Sequence, residues 1–195
     1  NTTNTAMSLG DAGTALTLTA NLTLNTAGGS LTLGGAVDGT TANTESLTLN
    51  AGSTGAVSVV GAMGQATSLK TLTLTNSNGA VFSAPVTTGT SVVLTDTTDG
   101  QTIRFADNLS TPVLTTTANG YNLELLGTTT NVSDANTATT FLNTGNLVLG
   151  NGAGDSLTFA GGLTATAPAA ISAAGTINTT NTAMSLGDAG TALTL

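Results

Sequence analysis

Apolar–polar–apolar triplets recur along this chain of 195 residues: Leu16-Thr17-Leu18, Leu22-Thr23-Leu24, Leu31-Thr32-Leu33, Leu47-Thr48-Leu49 and Leu72-Thr73-Leu74. Ile103-Arg104-Phe105, Leu123-Glu124-Leu125 and Leu157-Thr158-Phe159 follow, and Leu147-Val148-Leu149 keeps the frame with an apolar centre. Alternation of this kind is the mark of a short strand with one face buried and the other wet. Between the triplets lie Gly, Asn, Asp and Ser clusters such as Asn76-Ser77-Asn78-Gly79 and Gly150-Asn151-Gly152-Ala153-Gly154-Asp155, which is turn chemistry. No stretch carries a helical period, so the chain is expected to be all-β.

A longer period lies over the short one. Residues 1–18 and 178–195 both read NTTNTAMSLGDAGTALTL, so position 178 restarts the text of position 1. The reading is one complete repeat unit over 1–177 and the start of the next identical repeat over 178–195. The chain also starts at Asn1 without an initiator Met, and it is therefore read as an internal piece of a protein with tandem copies.

Triplet spacing separates the possible β architectures. From Leu22, later triplets begin 9, 25 and 50 positions on, and Leu123 to Leu147 is 24. Such gaps suit a coil with three faces of about eight residues each, every rung pairing in parallel with the next. The expected fold is a right-handed parallel β-helix, a β-solenoid of about seven irregular rungs per repeat. Gly35-Ala36-Val37, Gly55-Ala56-Val57 and Gly79-Ala80-Val81 offer small residues for its corners, and the uneven intervals call for loops on some rungs. Tandem immunoglobulin-like β-sandwiches are the alternative. Sandwiches of that type centre on a large aromatic, whereas this chain has no Trp and one Tyr, Tyr121.

In a solenoid of this kind the two copies of the duplicated segment are expected to take the same local structure. At about 24 residues per rung they are separated by roughly 34 Å along the axis, with a modest twist. Leu9, Leu16 and Leu18 then point inward, matched by Leu186, Leu193 and Leu195.

Composition excludes several functions. Charged residues make up only 6% against roughly 25% in ordinary soluble domains. Mean hydropathy is +0.27, too apolar for a disordered chain. With Lys70 and Arg104 as the only basic residues and a net charge of -8, no nucleic-acid partner is expected. No apolar run reaches membrane-span length. Cys and His are both absent, which removes thiolate sites and the commonest general base.

The ten acids stand singly, with Asp11, Asp38, Asp107, Asp134 and Asp155 in or beside turns, where Asp usually bonds its own backbone. The segment Gly150 to Leu157 resembles one calcium nonapeptide of the secreted β-rolls but departs from it at Asn151 and Ala153. Asp96, Asp99 and Gly100 make a second small acidic turn, and neither reaches the six to eight oxygens calcium takes. Thr-x-Thr pairs such as Thr71/Thr73 and Thr115/Thr117 would bind ice only if stacked in register. No catalytic, cofactor-binding or metal-ligating residue is assigned, no cofactor is expected, and the chain is not expected to be an enzyme.

The segment ESLTLNAGSTGAVSVVGAMGQATSLKTLTLTNSNGAV, residues 45–81, resembles the giant β-strand-repeat proteins of bacteria, in the style of filamentous-haemagglutinin-like adhesins. The resemblance rests on composition and cadence over nearly the whole chain. It implies a parallel β-helix exported from the cell, extracellular and at the cell surface, serving as a structural subunit of a long fibre or sheath. The alternative it leaves open is an adhesin whose surface binds a host, cell or glycan receptor. Implied partners are other copies of the repeat and laterally associated fibres.

Overall fold

The computed structural model describes residues 1–195. Every strand pairing in it is parallel, and no helix is present. The triplets coil into a β-solenoid of about eight turns with three faces. Antiparallel sandwiches are thereby excluded.

The first face begins at Met7–Leu9 and climbs through Leu31–Leu33, Val57–Val59 and Ala80–Phe82 to Thr102–Phe105. It continues through Asn122–Leu125, Asn146–Leu149 and Ala170–Ala173 to Ala192–Thr194. The second face starts with Leu16–Leu18 under Val37–Gly39 and ends with Ser156–Phe159 under Thr176–Thr179. The third carries Leu22–Asn25, Leu47–Asn50 and Leu69–Asn76 at its base and Leu163–Ala165 under Met184–Leu186 at its top. Met7 and Leu193 stand in one column eight steps apart, so (193 − 7)/8 gives a little over 23 per turn. The shortest turn on this face runs from Ile103 to Leu123 and the longest from Leu31 to Val57. The variation sits in loops, as the uneven spacing required: 133–138 separates Val132 from Thr139, and 150–155 separates Leu149 from Ser156.

Register stacks like on like. Leu33, Val59, Phe82, Phe105, Leu125 and Leu149 form one inward column, all buried. Thr23, Thr48 and Thr73 form an outward one. All four Phe and the single Tyr are in the core, with Phe141 and Phe159 packed edge to face at 5.8 Å. At the turn from the first face to the second the backbones nearly touch. A Cβ on Gly35 would collide with the Thr14 carbonyl, and one on Gly61 with the Gly35 backbone. Only glycine fits, which explains why Gly35-Ala36 stands at that corner. Both basic residues lie on strands, Lys70 with its N–H bonded to the Glu45 carbonyl at 2.7 Å.

The duplicated segments require a correction. Locally they agree: Asn4 and Asn181 both have left-handed φ, 51° and 53°, and Gly10 and Gly187 have 69° and 74°. Thr2 and Thr179 each donate a hydroxyl hydrogen bond three residues ahead, at 2.7 and 2.8 Å. They do not share a face. Met7–Leu9 lies on the first face, whereas Met184–Leu186 lies on the third, over Leu163–Ala165. Leu16–Leu18 lies on the second face, and its equivalent Leu193 lies on the first, over Ile171. The expected modest twist is in fact a step of one whole face. One repeat spans seven turns plus two further faces, which at about 4.8 Å per turn is about 37 Å. Leu9, Leu16 and Leu186 pack against the core and Leu18 is buried, but Leu193 and Leu195 on the last turn are 44% and 87% exposed.

Candidate functional site

The acids are distributed by turn chemistry, and no three of them come together. Asp11 accepts from the Thr14 hydroxyl at 2.8 Å and the Gly13 N–H at 3.0 Å, and those two bonds hold its carboxyl below the ordinary range. Its copy Asp188 repeats the turn with the Gly190 N–H at 2.8 Å and the Thr191 hydroxyl at 3.1 Å, with the same downward effect. Asp134 is lowered by the Thr137 hydroxyl and the Asn136 N–H. Glu45, buried at the end of a turn, is lowered chiefly by the Thr40 hydroxyl at 2.8 Å.

The Gly150 to Leu157 segment closes on itself. Asp155 is 6% exposed, and one of its oxygens accepts from the N–H groups of Asn151 at 2.7 Å and Gly152 at 2.9 Å. It is a capped turn. In the second acidic turn, Asp99 accepts from the Gly120 N–H of the next rung at 3.1 Å. Asp38 does the same for a loop, receiving the N–H groups of Ala66 and Thr67 at 3.0 and 3.1 Å. Donor and acceptor are 28 residues apart, a little over one rung, so the triplet spacing alone does not pair them. The Thr-x-Thr pairs do not stack: Thr71 and Thr73 meet Ser91 and Val93 on the next rung.

Two of the four surface hollows bear on function. One is an open polar groove of about 580 Å³ along a corner, lined by Asn25, Asn50, Asn76, Thr95, Asp96 and Asn119. Asn25 and Asn50 are partners in register, as are Asn50 and Asn76, so amide side chains climb this corner rung by rung. The Asn25 and Asn50 oxygens accept from the N–H groups of Ala27 and Gly52. The groove offers hydrogen bonds but holds one carboxylate and no aromatic, thiol or base. The other is an apolar hollow of about 110 Å³ at the first turn, among Leu9, Leu16, Leu18, Leu22, Leu24 and Leu47. It is the core of the solenoid seen from its end, where the next rung of an ordinary stack would sit.

No family model, no curated protein and no solved structure matches the chain.

Proposed function

We propose that this chain is a section of a long structural fibre, built from tandem 177-residue β-solenoid repeats and carried outside a bacterial cell. One observation supports it above the others: the segment Asn1 to Leu18 recurs as Asn178 to Leu195 in the same solenoid, and the first-face ladder runs unbroken through nine strands from Met7–Leu9 in the first copy to Ala192–Thr194 in the second. A solenoid is held together by contacts between neighbouring rungs, so identical units extend it with no new kind of interface. The cadence shared with giant bacterial β-strand-repeat proteins supports the cell-surface setting. Burial of Tyr121 and all four Phe favours the fibre over a glycan-binding adhesin, since no aromatic platform faces solvent.

Chains of one, two and three repeats test the reading by electron microscopy. The expected result is a set of straight rods, each about 37 Å longer than the last. Beads on flexible joints would overturn it. Antibody raised against the chain should label intact producing cells, and labelling only after the cells are opened would overturn the surface location.

A further inference from the structure

We infer that successive repeats of the fibre are turned back by one face of the solenoid, so that three repeats are needed before any side chain returns to the same side. This rests on the tandem-fibre reading and adds the junction geometry to it.

The cause is a mismatch of lengths. Eight turns carry the first column from Met7 to Leu193, whereas the repeat, 1–177, is nine residues shorter than that span (193 − 7 = 186 against 177). Nine residues is also the step from Met7 to Leu16, one face to the next. A segment that begins on the first face therefore begins again on the third. Its local turns are unchanged, as the matching φ angles at Asn4 and Asn181 show. Parallel pairing accepts the shift because the rungs beneath the second copy present apolar inward pairs on both faces involved, Leu163 with Ala165 on the third and Ile171 with Ala173 on the first.

The upper copy also identifies the occupant of the open hollow at the lower one. Beneath Met184–Leu186 lies Leu163–Ala165, with Leu186 over Ala165, and beneath Ala192–Thr194 lies Ala170–Ala173. The lower copy has the same sequence and an uncovered apolar end at Leu9, Leu16 and Leu18. The partner for that end is the Leu163–Ala173 stretch of another copy, set one face round. Large residues of one copy then cover the small Ala165 and Ala173 of the other. Three copies, each of seven turns and two faces, close on a whole number of turns. A groove such as the Asn25–Asn50–Asn76 corner is thereby offered on all three sides of the fibre in turn.

The chain contains no cysteine, so disulfide trapping reads the junction directly. Thr164 and Ser185 are register partners on neighbouring rungs, as are Ser172 and Thr194. Their strands lie about 4.8 Å apart, inside the Cα separation a disulfide spans. Under mild oxidation, T164C/S185C and S172C/T194C should each lose both free thiols within one chain. The S172C/S185C pair, which would meet if the second copy returned to the first face, should keep both. Crosslinking in S172C/S185C, or none in T164C/S185C, overturns the inference.

Helical reconstruction of rods of many repeats is the second measurement, free of substitutions. It should show each repeat rotated by about a third of a turn. Rods whose features return to one side at every repeat would sink the rotation while leaving the fibre standing. A chain that crosslinks as expected yet forms no rods would do the reverse.

Discussion

Phe82 and Phe105 hold the same inward position on successive rungs, and their rings stack with centroids 4.7 Å apart and planes 7° from parallel. The spacing is that of paired strands, so the ladder itself sets the ring separation. Both side chains are buried among apolar neighbours above and below. Replacing Phe105 with Ala should cost about 3–5 kcal/mol, measured by denaturant unfolding. A double-mutant cycle with Phe82→Leu and Phe105→Leu should return about 0.5–1.5 kcal/mol of coupling. A loss under about 1 kcal/mol for Phe105→Ala would contradict this account of the core.

Gly61 is the second test, because its neighbour is backbone and has nowhere to go. A methyl group there meets the carbonyl carbon and oxygen of Gly35 on the rung below. The expected cost of Gly61→Ala is about 1–3 kcal/mol or more. Gly154 is its control, since a Cβ there meets nothing within 4 Å. Gly154→Ala should be neutral or stabilising by about 0.4–1 kcal/mol. Equal melting temperatures for the two variants would refute the close approach at the corner.

Tyr121 reports on alkaline stability. Its hydroxyl donates to the Leu94 carbonyl at 3.3 Å and accepts from the Thr117 N–H at 3.2 Å, and burial pushes its pKa above 10.0. The folded state therefore holds the proton more tightly than the unfolded chain does. That contribution is complete below the ordinary tyrosine pKa and is lost as pH rises above it. With one Tyr and no Trp, ultraviolet absorbance follows this group alone. Tyrosinate should appear only above the ordinary range and together with loss of the β signal. Ionisation at the ordinary pKa in an intact solenoid would show that the ring is not sealed.

At the acid end the sign reverses. Asp11, Glu45, Asp134 and Asp188 all have lowered pKa values, from hydroxyl and N–H donors in their turns. Folding favours their charged forms, a contribution complete above the ordinary carboxylate range, about pH 4–5, and lost as pH falls through the lowered values. Melting temperature should be flat from about pH 7 to 5 and fall below about pH 4. Asp134→Asn should flatten part of that fall. A melting temperature that rises on acidification would contradict the assignment.

Much of this was legible in the residues. All nine triplets are strands, and in all but the Leu22 triplet on the first turn the outer residues are turned into the core, because a two-residue alternation has one way to bury its Leu side chains. Turn residues marked the corners for the same local reason, and the identical end segments reproduced identical turns at Asp11 and Asp188. The polar corner was legible in part: Asn25 and Asn50 follow the Leu22 and Leu47 triplets at the same interval, so the rung spacing stacks them, but nothing local adds Asp96 and Asn119 to the groove they line.

What the sequence by itself determined is therefore local: strand, turn, inward side and repeat length. Only the tertiary structure decided which face each triplet occupies, why Asp38 caps a loop 28 residues away, and why the second copy falls one face short. The physical reason is that one apolar triplet stacks on another equally well on any face. Position around the solenoid is then set by the summed length of corners and loops, which differs from the tight turn between Ile103 and Leu123 to the wide one between Leu31 and Val57. A small remainder in that sum becomes a full change of face.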